Sequence, residues 1–223
     1  DPAVAAAFPP GSSALLFGER IDHLIDAFQR FDTARAEQLL GPPLALLPAD
    51  VVCEHLLLPL LREVGERWHQ GTMAIAAEHF GTSLVRTKLL SLLDSLRGKT
   101  GPRRVVCACL PGELHEIGLM MFALLVAGQG WDPVYLGANV PAFDLLDAVT
   151  RTQAELLGLS VVQRLPPEDL RQRLYEIRSL MAGRAEVVVG GRGVVGQREV
   201  IQQAGCLVLP ASGRLDELPF PPR

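Results

Sequence analysis

The segment VVCACLPGELHEIG, residues 105–118, combines a strand, a turn and the start of a helix. Val105–Leu110 is a short apolar run, which is typical of a buried strand in a parallel sheet. Pro111 and Gly112 end that run, because proline and glycine favour turns. A helical pattern then follows from about residue 115 to residue 128. This order predicts the first strand–helix unit of an α/β domain.

The same alternation of strand and helix continues towards the C-terminus. Further strands are predicted near Pro133–Leu136, Leu156–Val161, Val187–Val189 and Leu207–Leu209, with helices near 141–152, 167–182 and 194–204. Strands that alternate with helices favour a Rossmann-like, doubly wound parallel sheet, here of five strands over residues 102–218. Ligands of such sheets bind beyond the carboxyl ends of the strands.

The preceding part of the chain, residues 19–97, has the pattern of a four-helix bundle. Residues 1–18 are rich in Ala, Pro and Gly, so we expect a linker or disordered terminus there. The first predicted helix has Ile21, Leu24, Ile25 and Phe28 on its inner face. The second, Thr33–Leu40, is expected to end at Gly41-Pro42-Pro43. The third and fourth are predicted at Ala49–His69 and at about 73–97.

The composition argues against binding of nucleic acid or membrane by this chain itself. Its formal net charge is −4, so it has no long-range attraction for polyanions. No run of about 18 apolar residues without charges or breakers is present. The four cysteines include no CxxC pair, so we expect reduced, buried thiols in a cytoplasmic protein.

The turn after the first predicted strand carries a histidine with a carboxylate two residues before it. Glu113 beside His115 would fix the tautomer of the imidazole and raise the basicity of its other ring nitrogen. A single histidine cannot build a zinc site, but it suffices for a metal already held by a macrocycle. The alternative is that His115 is only a solvated or capping residue at a helix N-terminus.

Two later strands end in residues that suit the same ligand. Ser160 closes the third strand and places a hydroxyl at the same edge of the sheet. Gly190 and Gly191 close the fourth strand and remove side chains where a bulky group could lie against backbone. Each feature is common alone, and their joint placement is what indicates a shared binding site.

Together, these residues resemble the DxHxxG…SxL…GG pattern of cobalamin-binding domains. Here the pattern reads Glu113-x-His115-x-x-Gly118, Ser160-x-Val162 and Gly190-Gly191, with Glu in place of Asp and Val in place of Leu. The resemblance implies that the nucleotide tail of cobalamin leaves cobalt and that histidine replaces it. The resemblance implies that His115 is the lower cobalt ligand, that Glu113 is its hydrogen-bond partner and that Gly118 makes room for the tail. It also implies that Ser160 forms a hydrogen bond with the buried base and that Gly190 and Gly191 line the slot for that base.

The helical part carries two dipeptides, Trp68-His69 and Glu78-His79. Their spacing resembles the light-sensing cobalamin repressors of the CarH/LitR type, in the MerR class of regulators. The resemblance implies that Trp68 and Glu78 contact the upper ligand of cobalt, with support from His79. It also implies that His69 binds cobalt after light breaks the cobalt–carbon bond. The alternatives are that Trp68 belongs to a buried stripe with Leu57, Leu61 and Val64, and that Glu78-His79 is a solvated pair.

The resemblance implies a cobalamin-dependent photoreceptor that regulates transcription or a partner protein, not an enzyme. Its cofactor would be adenosylcobalamin, with methylcobalamin as the alternative, and a change in a homo-oligomer would be its output. A DNA-binding domain or effector would lie outside this chain, and a bilin as second chromophore stays open. A corrinoid carrier of a methyltransferase system is the alternative function, and a nucleotide-binding module of similar fold is the third.

Overall fold

The computed structural model describes residues 12–96, 98–210 and 213–218. The fold divides into two compact units, with the boundary between Lys88 and Leu89. The first unit is helical, and the second contains the sheet. Within the described residues no helix is both long enough and apolar enough to cross a lipid bilayer.

The helical unit consists of helices joined by short connections. Its buried side chains come from all of them and include Phe28, Leu40, Leu60 and Ala77. The third helix contains a π-helical turn that ends two residues before Pro59, and this proline removes a backbone donor from the regular ladder. The helices are α1 (Ser12–Gln29), α2 (Thr33–Leu46), α3 (Ala49–Val52, the π turn Cys53–Leu57, and Leu58–His69) and α4 (Ile75–Ser95).

The predicted linker at residues 1–18 is wrong from Ser12 onward, because α1 begins there. The physical reason is an apolar contact: Phe17 is buried, and its ring lies 6.2 Å from the ring of His55. Burial of that ring favours continuation of the helix in spite of the glycine that follows it. Residues 1–11, which the same prediction included, lie outside the described residues.

The predicted stop of the second helix at Gly41-Pro42-Pro43 is also wrong, since α2 continues to Leu46. Proline lacks the N–H donor of the helix ladder, but its fixed φ is itself helical. Pro43 is buried, and Leu47 N–H closes the end of the helix by donating to the Pro43 carbonyl. Tertiary packing therefore outweighs the local cost of the prolines.

The buried stripe predicted for α3 fails at its last member. Leu57 and Val64 are buried, but Trp68 is 49% exposed. The last turn of α3 extends past the core of the helical unit, because every residue from 65 to 70 is at least partly exposed. The buried side of α3 instead passes through Leu56, Leu57, Leu60 and Val64.

The second unit contains the predicted sheet, and the fold class is confirmed. Five parallel strands lie in the order β2-β1-β3-β4-β5. β1 is an interior strand that pairs with both β2 and β3, which explains why all its residues from Val105 to Cys109 are buried. The strands are β1 (Arg103–Cys109), β2 (Trp131–Gly137), β3 (Leu156–Ser160), β4 (Glu186–Gly190) and β5 (Leu207–Val208).

Helices cover both faces of the sheet, as the doubly wound pattern requires. α5 lies on one face, where Leu119, Phe122 and Val126 pack with the odd-numbered side chains of β1. The opposite face packs against the other three helices through residues such as Leu145 and Leu174. These helices are α5 (Ile117–Gly128), α6 (Ala142–Thr152), α7 (Pro167–Met181) and α8 (Arg198–Gln203), with single 3₁₀ turns at Arg192–Val194 and Leu215–Glu217.

All four cysteines are buried and free, as the sequence predicts. Burial raises the pKa of the Cys53, Cys109 and Cys206 thiols to about 12, and it raises the pKa of Cys107 as well. A thiol reacts as its thiolate, so these side chains act as small apolar core groups rather than as nucleophiles.

Candidate functional site

The three motif segments leave adjacent strands at one edge of the sheet. In the register of the sheet, Cys109 at the end of β1 stands opposite Ser160 at the end of β3, and Ser160 stands opposite Gly190 at the end of β4. The amide of Leu110 donates to the carbonyl of Ser160 at 3.0 Å and extends this pairing by one residue. The structure thus brings together the segments that the sequence placed at a common ligand site.

His115 lies in the turn that leads from β1 into α5. Its Nδ1 is 2.5 Å from Glu113 Oε1, and its backbone N–H donates to the same oxygen at 2.9 Å. The carboxylate therefore accepts the Nδ1 proton, which leaves Nε2 as the nitrogen with a free lone pair. The His115 side chain is 58% exposed, so that lone pair is accessible to a ligand.

Glu113 is fixed from two sides. Its second oxygen, Oε2, accepts hydrogen bonds from the backbone N–H groups of Val162 at 2.8 Å and Gln163 at 2.7 Å. Its side chain is only 4% exposed. Burial by itself would raise the pKa of Glu113, but the N–H groups of Gln163, His115 and Val162 together with the His115 ring hold that pKa below its ordinary value. The site therefore contains a stable carboxylate that joins the turns after β1 and β3.

Gly118 and Ser160 face each other across the interface between α5 and the sheet. A methyl group added to Gly118 would lie 3.9 Å from Ser160 Oγ, which is ordinary contact distance. Gly118 is exposed, whereas Ser160 is 6% exposed. The glycine in the first turn of α5 thus places no side chain beside the buried Ser160 hydroxyl, and the role of both residues towards a bound base stays a prediction.

Packing within the protein already requires glycine or a very small residue at positions 190 and 191. A methyl group on Gly191 would lie 2.2 Å from the carbonyl oxygen of Val161, and Gly191 has a φ of +108°. A methyl group on Gly190 would lie 2.9 Å from the Leu209 side chain. Both glycines therefore permit close packing within the protein, and their contact with a bound ligand stays a prediction.

The two dipeptides of the helical unit lie on either side of the connection between α3 and α4. Trp68 and His69 occupy the last turn of α3, and both are exposed. Glu78 and His79 lie near the start of α4, where His79 Nδ1 contacts Glu78 Oε2. The Glu78 side chain is 24% exposed and that of His79 is 71% exposed. All four residues are at least partly accessible to a ligand, and their roles stay predictions.

Sequence reasoning missed residues from β2 and from the connection that follows it. Asn139 accepts a hydrogen bond from the Gly112 N–H at 2.8 Å, and Tyr135 in β2 donates its hydroxyl proton to Glu116 at 2.8 Å. The signal was present in the chain, because the carboxyl end of β2 must meet the same edge of the sheet as β1. Asn139 follows that end at Gly137.

The arrangement fits a corrinoid better than a metal site built from protein ligands. Within the described parts of the chain, no three His, Cys, Asp or Glu side chains cluster in a way that could hold a metal ion. His115 offers one oriented nitrogen, as a metal with four equatorial ligands of its own requires. Beside it, Gly118 carries no side chain next to the buried Ser160 hydroxyl. The residues present are therefore compatible with a cobalamin.

Comparison with known proteins agrees with this geometry. Family models described as "B12 binding domain" match residues 103–218 and residues 20–92. The HTH-type transcriptional repressor CarH of Myxococcus xanthus is 34% identical over 88% of this chain and 66% of its own length. The repressor CarA of the same organism is 30% identical over 80% of this chain and 60% of its own length. The chain thus spans less than two thirds of either repressor.

A solved structure shows the same fold. The monomethylamine corrinoid protein of Methanosarcina barkeri superimposes with a TM-score of 0.67, covers 86% of this chain and 92% of its own, and is 19% identical. The match of the family model to residues 103–218 covers the whole sheet and the Glu113–His115 turn. A second model covers most of the helical unit. The chain therefore belongs to the B12-binding domain family.

Proposed function

We propose that this chain is the sensory part of a light-responsive regulator that binds adenosylcobalamin in the dark. When bound, the cofactor supplies a cobalt–carbon bond that visible light can break. The chain's own residues hold the cofactor and convert the loss of its upper ligand into a change of conformation or oligomeric state. That change regulates transcription or a partner protein.

The observation that carries this proposal is the contact between Glu113 and His115. The buried carboxylate holds the Nδ1 proton, so Nε2 keeps a lone pair and gains basicity towards cobalt. Because Glu113 is also tied to the turn after β3, the imidazole is oriented before the cofactor arrives. An oriented ligand loses less conformational entropy on binding.

The accessible residues of the helical unit support the light-sensing part of the proposal. Trp68 offers an apolar surface and Glu78 a carboxylate that can accept hydrogen bonds from the hydroxyls of a nucleoside. We assign these two residues to the upper ligand, with His79 holding Glu78 in place. His69, next to Trp68 and exposed, is assigned as the cobalt ligand after illumination. The similarity to the repressors CarH and CarA supports the regulatory output.

The test is an absorption titration of the purified apo-protein with adenosylcobalamin in the dark, followed by illumination. We expect saturable binding and a lasting change of the visible spectrum under light. His69→Ala should bind normally in the dark and give a less stable photoproduct. His23→Ala, which removes another exposed imidazole of the helical unit, is the matched control and should behave as the wild type.

The result also separates the alternative function. A spectrum that stays unchanged under light would refute the photoreceptor proposal. Tight binding of methylcobalamin with methyl transfer to or from a partner enzyme, and no response to light, would instead establish the corrinoid carrier. Failure to bind any cobalamin would contradict both functions.

A further inference from the structure

Asn139 makes a reciprocal contact with the turn that presents His115. The Asn139 side-chain oxygen accepts from the Gly112 N–H at 2.8 Å, and the Asn139 N–H donates to the Glu113 carbonyl at 3.0 Å. Asn139 has a φ of +52°, in the left-handed region that few residues other than glycine tolerate. Asparagine and aspartate both tolerate this backbone conformation, and both supply a side-chain acceptor.

Leu110 and Glu113 are buried, but Pro111 and Gly112 between them are not, so polar contacts hold this outer part of the turn. Residues 110–113 line a cavity of about 130 Å³ that opens to solvent, together with residues of the turn after β3 and Arg173 of α7. Side chains therefore leave one side of the turn unpacked. Arg173 donates to the Pro111 carbonyl at 2.9 Å, but this guanidinium is exposed. The paired contacts of Asn139 are thus the main link between the turn and the end of β2.

We propose that Asn139 is a positioning residue for the cobalt ligand, acting through Gly112 and Glu113 on His115. This inference rests on the proposed binding of cobalamin by His115. By holding the Gly112–Glu113 peptide, Asn139 keeps the Glu113 carboxylate in place to orient the imidazole. A ligand side chain must be held within a fraction of an ångström, so freedom in this turn directly weakens binding.

Two variants separate the side chain of Asn139 from its backbone. Asn139→Gly keeps the left-handed backbone and the N–H donor but removes the acceptor. Asn139→Asp retains an acceptor oxygen and should restore the behaviour of the wild type. One solvent-accessible hydrogen bond corresponds to about a two- to tenfold effect. We therefore expect the dissociation constant for adenosylcobalamin in the dark to rise about two- to tenfold in Asn139→Gly and to change less in Asn139→Asp.

A double-mutant cycle with His115→Ala shows whether Asn139 acts through His115. A positioning role predicts that Asn139→Gly causes no further loss of affinity in the His115→Ala background, because the group it positions is gone. A merely structural role would give the same loss in both backgrounds. Equal affinity of Asn139→Gly and wild type, or an additive loss, would overturn the inference.

Hydrogen exchange in the apo-protein tests the contact without any cobalamin. The Gly112 amide should exchange about two- to tenfold faster in Asn139→Gly than in the wild type, and Asn139→Asp should reduce that increase. Unchanged exchange of Gly112 would refute the Asn139 contact itself. If His115→Ala binds cobalamin as tightly as the wild type while Gly112 exchange responds as expected, the proposed cobalt ligand fails and the positioning role fails with it.

Discussion

At the scale of single residues, the Glu113 carboxylate accepts four hydrogen bonds. All of its partners are N–H donors, so a side chain that itself donates would face another donor. One oxygen receives the ring and backbone N–H groups of His115, and the other receives the N–H groups of Val162 and Gln163. The pattern of cobalamin-binding domains has Asp at this position. The longer arm of Glu keeps the carboxylate within hydrogen-bond distance of both turns in this structure.

Glu113→Gln should therefore destabilise the protein, although it is nearly isosteric. Its amide NH₂ must face donors on one side or the other, and a buried unsatisfied donor costs about 1–3 kcal/mol. Urea denaturation at neutral pH measures this loss. Glu176→Gln is the matched control, because the Glu176 carboxylate is exposed on α7 and lies away from the helix N-terminus, and this variant should leave the urea midpoint nearly unchanged. A Glu113→Gln midpoint equal to that of the wild type would contradict the described contacts.

We also expect the loss of stability in Glu113→Gln to depend on pH. The pKa of Glu113 is lowered in the folded protein, so its ionised form stabilises the fold fully above the ordinary carboxyl pKa. That contribution is lost as the pH falls through the lower, folded-state pKa. The stability difference between wild type and Glu113→Gln should thus be full at neutral pH and shrink in acid. A difference that grows on acidification would show that the sign is wrong.

Adding a single methyl group at Gly191 should strongly lower the free energy of unfolding. Gly191→Ala places that group 2.2 Å from the Val161 carbonyl oxygen, in a backbone conformation with a φ of +108°. We expect a loss of roughly 3 kcal/mol or more, because close contact adds to backbone strain. Gly196→Ala is the control for strain alone, since Gly196 has a φ of +78° and open space around it. Equal losses in the two variants, measured by urea denaturation, would contradict the close contact.

At the scale of helices and strands, α2 shows where local rules fail. Pro42 lies inside this helix and is exposed, so its side chain contributes little packing. That small contribution does not offset the loss of its backbone N–H from the helix. Pro42→Ala should restore an N–H donor to the helix and raise the free energy of unfolding by roughly 1–3 kcal/mol, measured by urea denaturation. Pro43→Ala should gain less, because Pro43 is buried and its side chain contributes packing. A destabilised Pro42→Ala variant would show that α2 is not regular across the prolines.

Periodicity predicted the sheet well because its central strands are buried on both faces. An uninterrupted apolar run such as Val105–Leu110 is typical of a strand covered by helices on both sides, and the glycines and prolines after it mark the turns. The errors in the helical unit have the opposite origin. Phe17 and Pro43 take their conformation from tertiary packing, and Trp68 lies where α3 extends past its core. The sequence pattern within a single helix does not reveal such tertiary packing.

Some residues of the candidate site could likewise be predicted from the sequence, and others could not. Glu113, His115 and Ser160 could be predicted, because their chemistry and their position after strands are visible in the chain. The N–H groups of Val162 and Gln163 could not, since every residue except proline carries the same backbone donor. Asn139 was missed because a lone asparagine shortly after a glycine is typical of an ordinary turn.

At the scale of the whole molecule, the proposed output is a change that light imposes on the loaded protein. Sedimentation velocity in the dark and after illumination should show different sedimentation coefficients for the adenosylcobalamin-loaded wild type. His115→Ala should sediment identically in dark and light, because it lacks the lower ligand. A wild-type spectrum that responds to light without any change in sedimentation would refute a change in oligomeric state and leave a change of conformation as the output.

The identity of the lower cobalt ligand is tested by electron paramagnetic resonance of the protein loaded with cob(II)alamin. A ¹⁴N ligand splits each line of the cobalt signal into a triplet, and labelling all histidines with ¹⁵N changes the splitting by a histidine ligand to a doublet. We predict doublets in the labelled wild type and their loss in His115→Ala. Triplets from the ¹⁴N of the cofactor's own base would contradict the assignment of His115, and so would doublets that persist both in His115→Ala and in the double variant His69→Ala/His115→Ala.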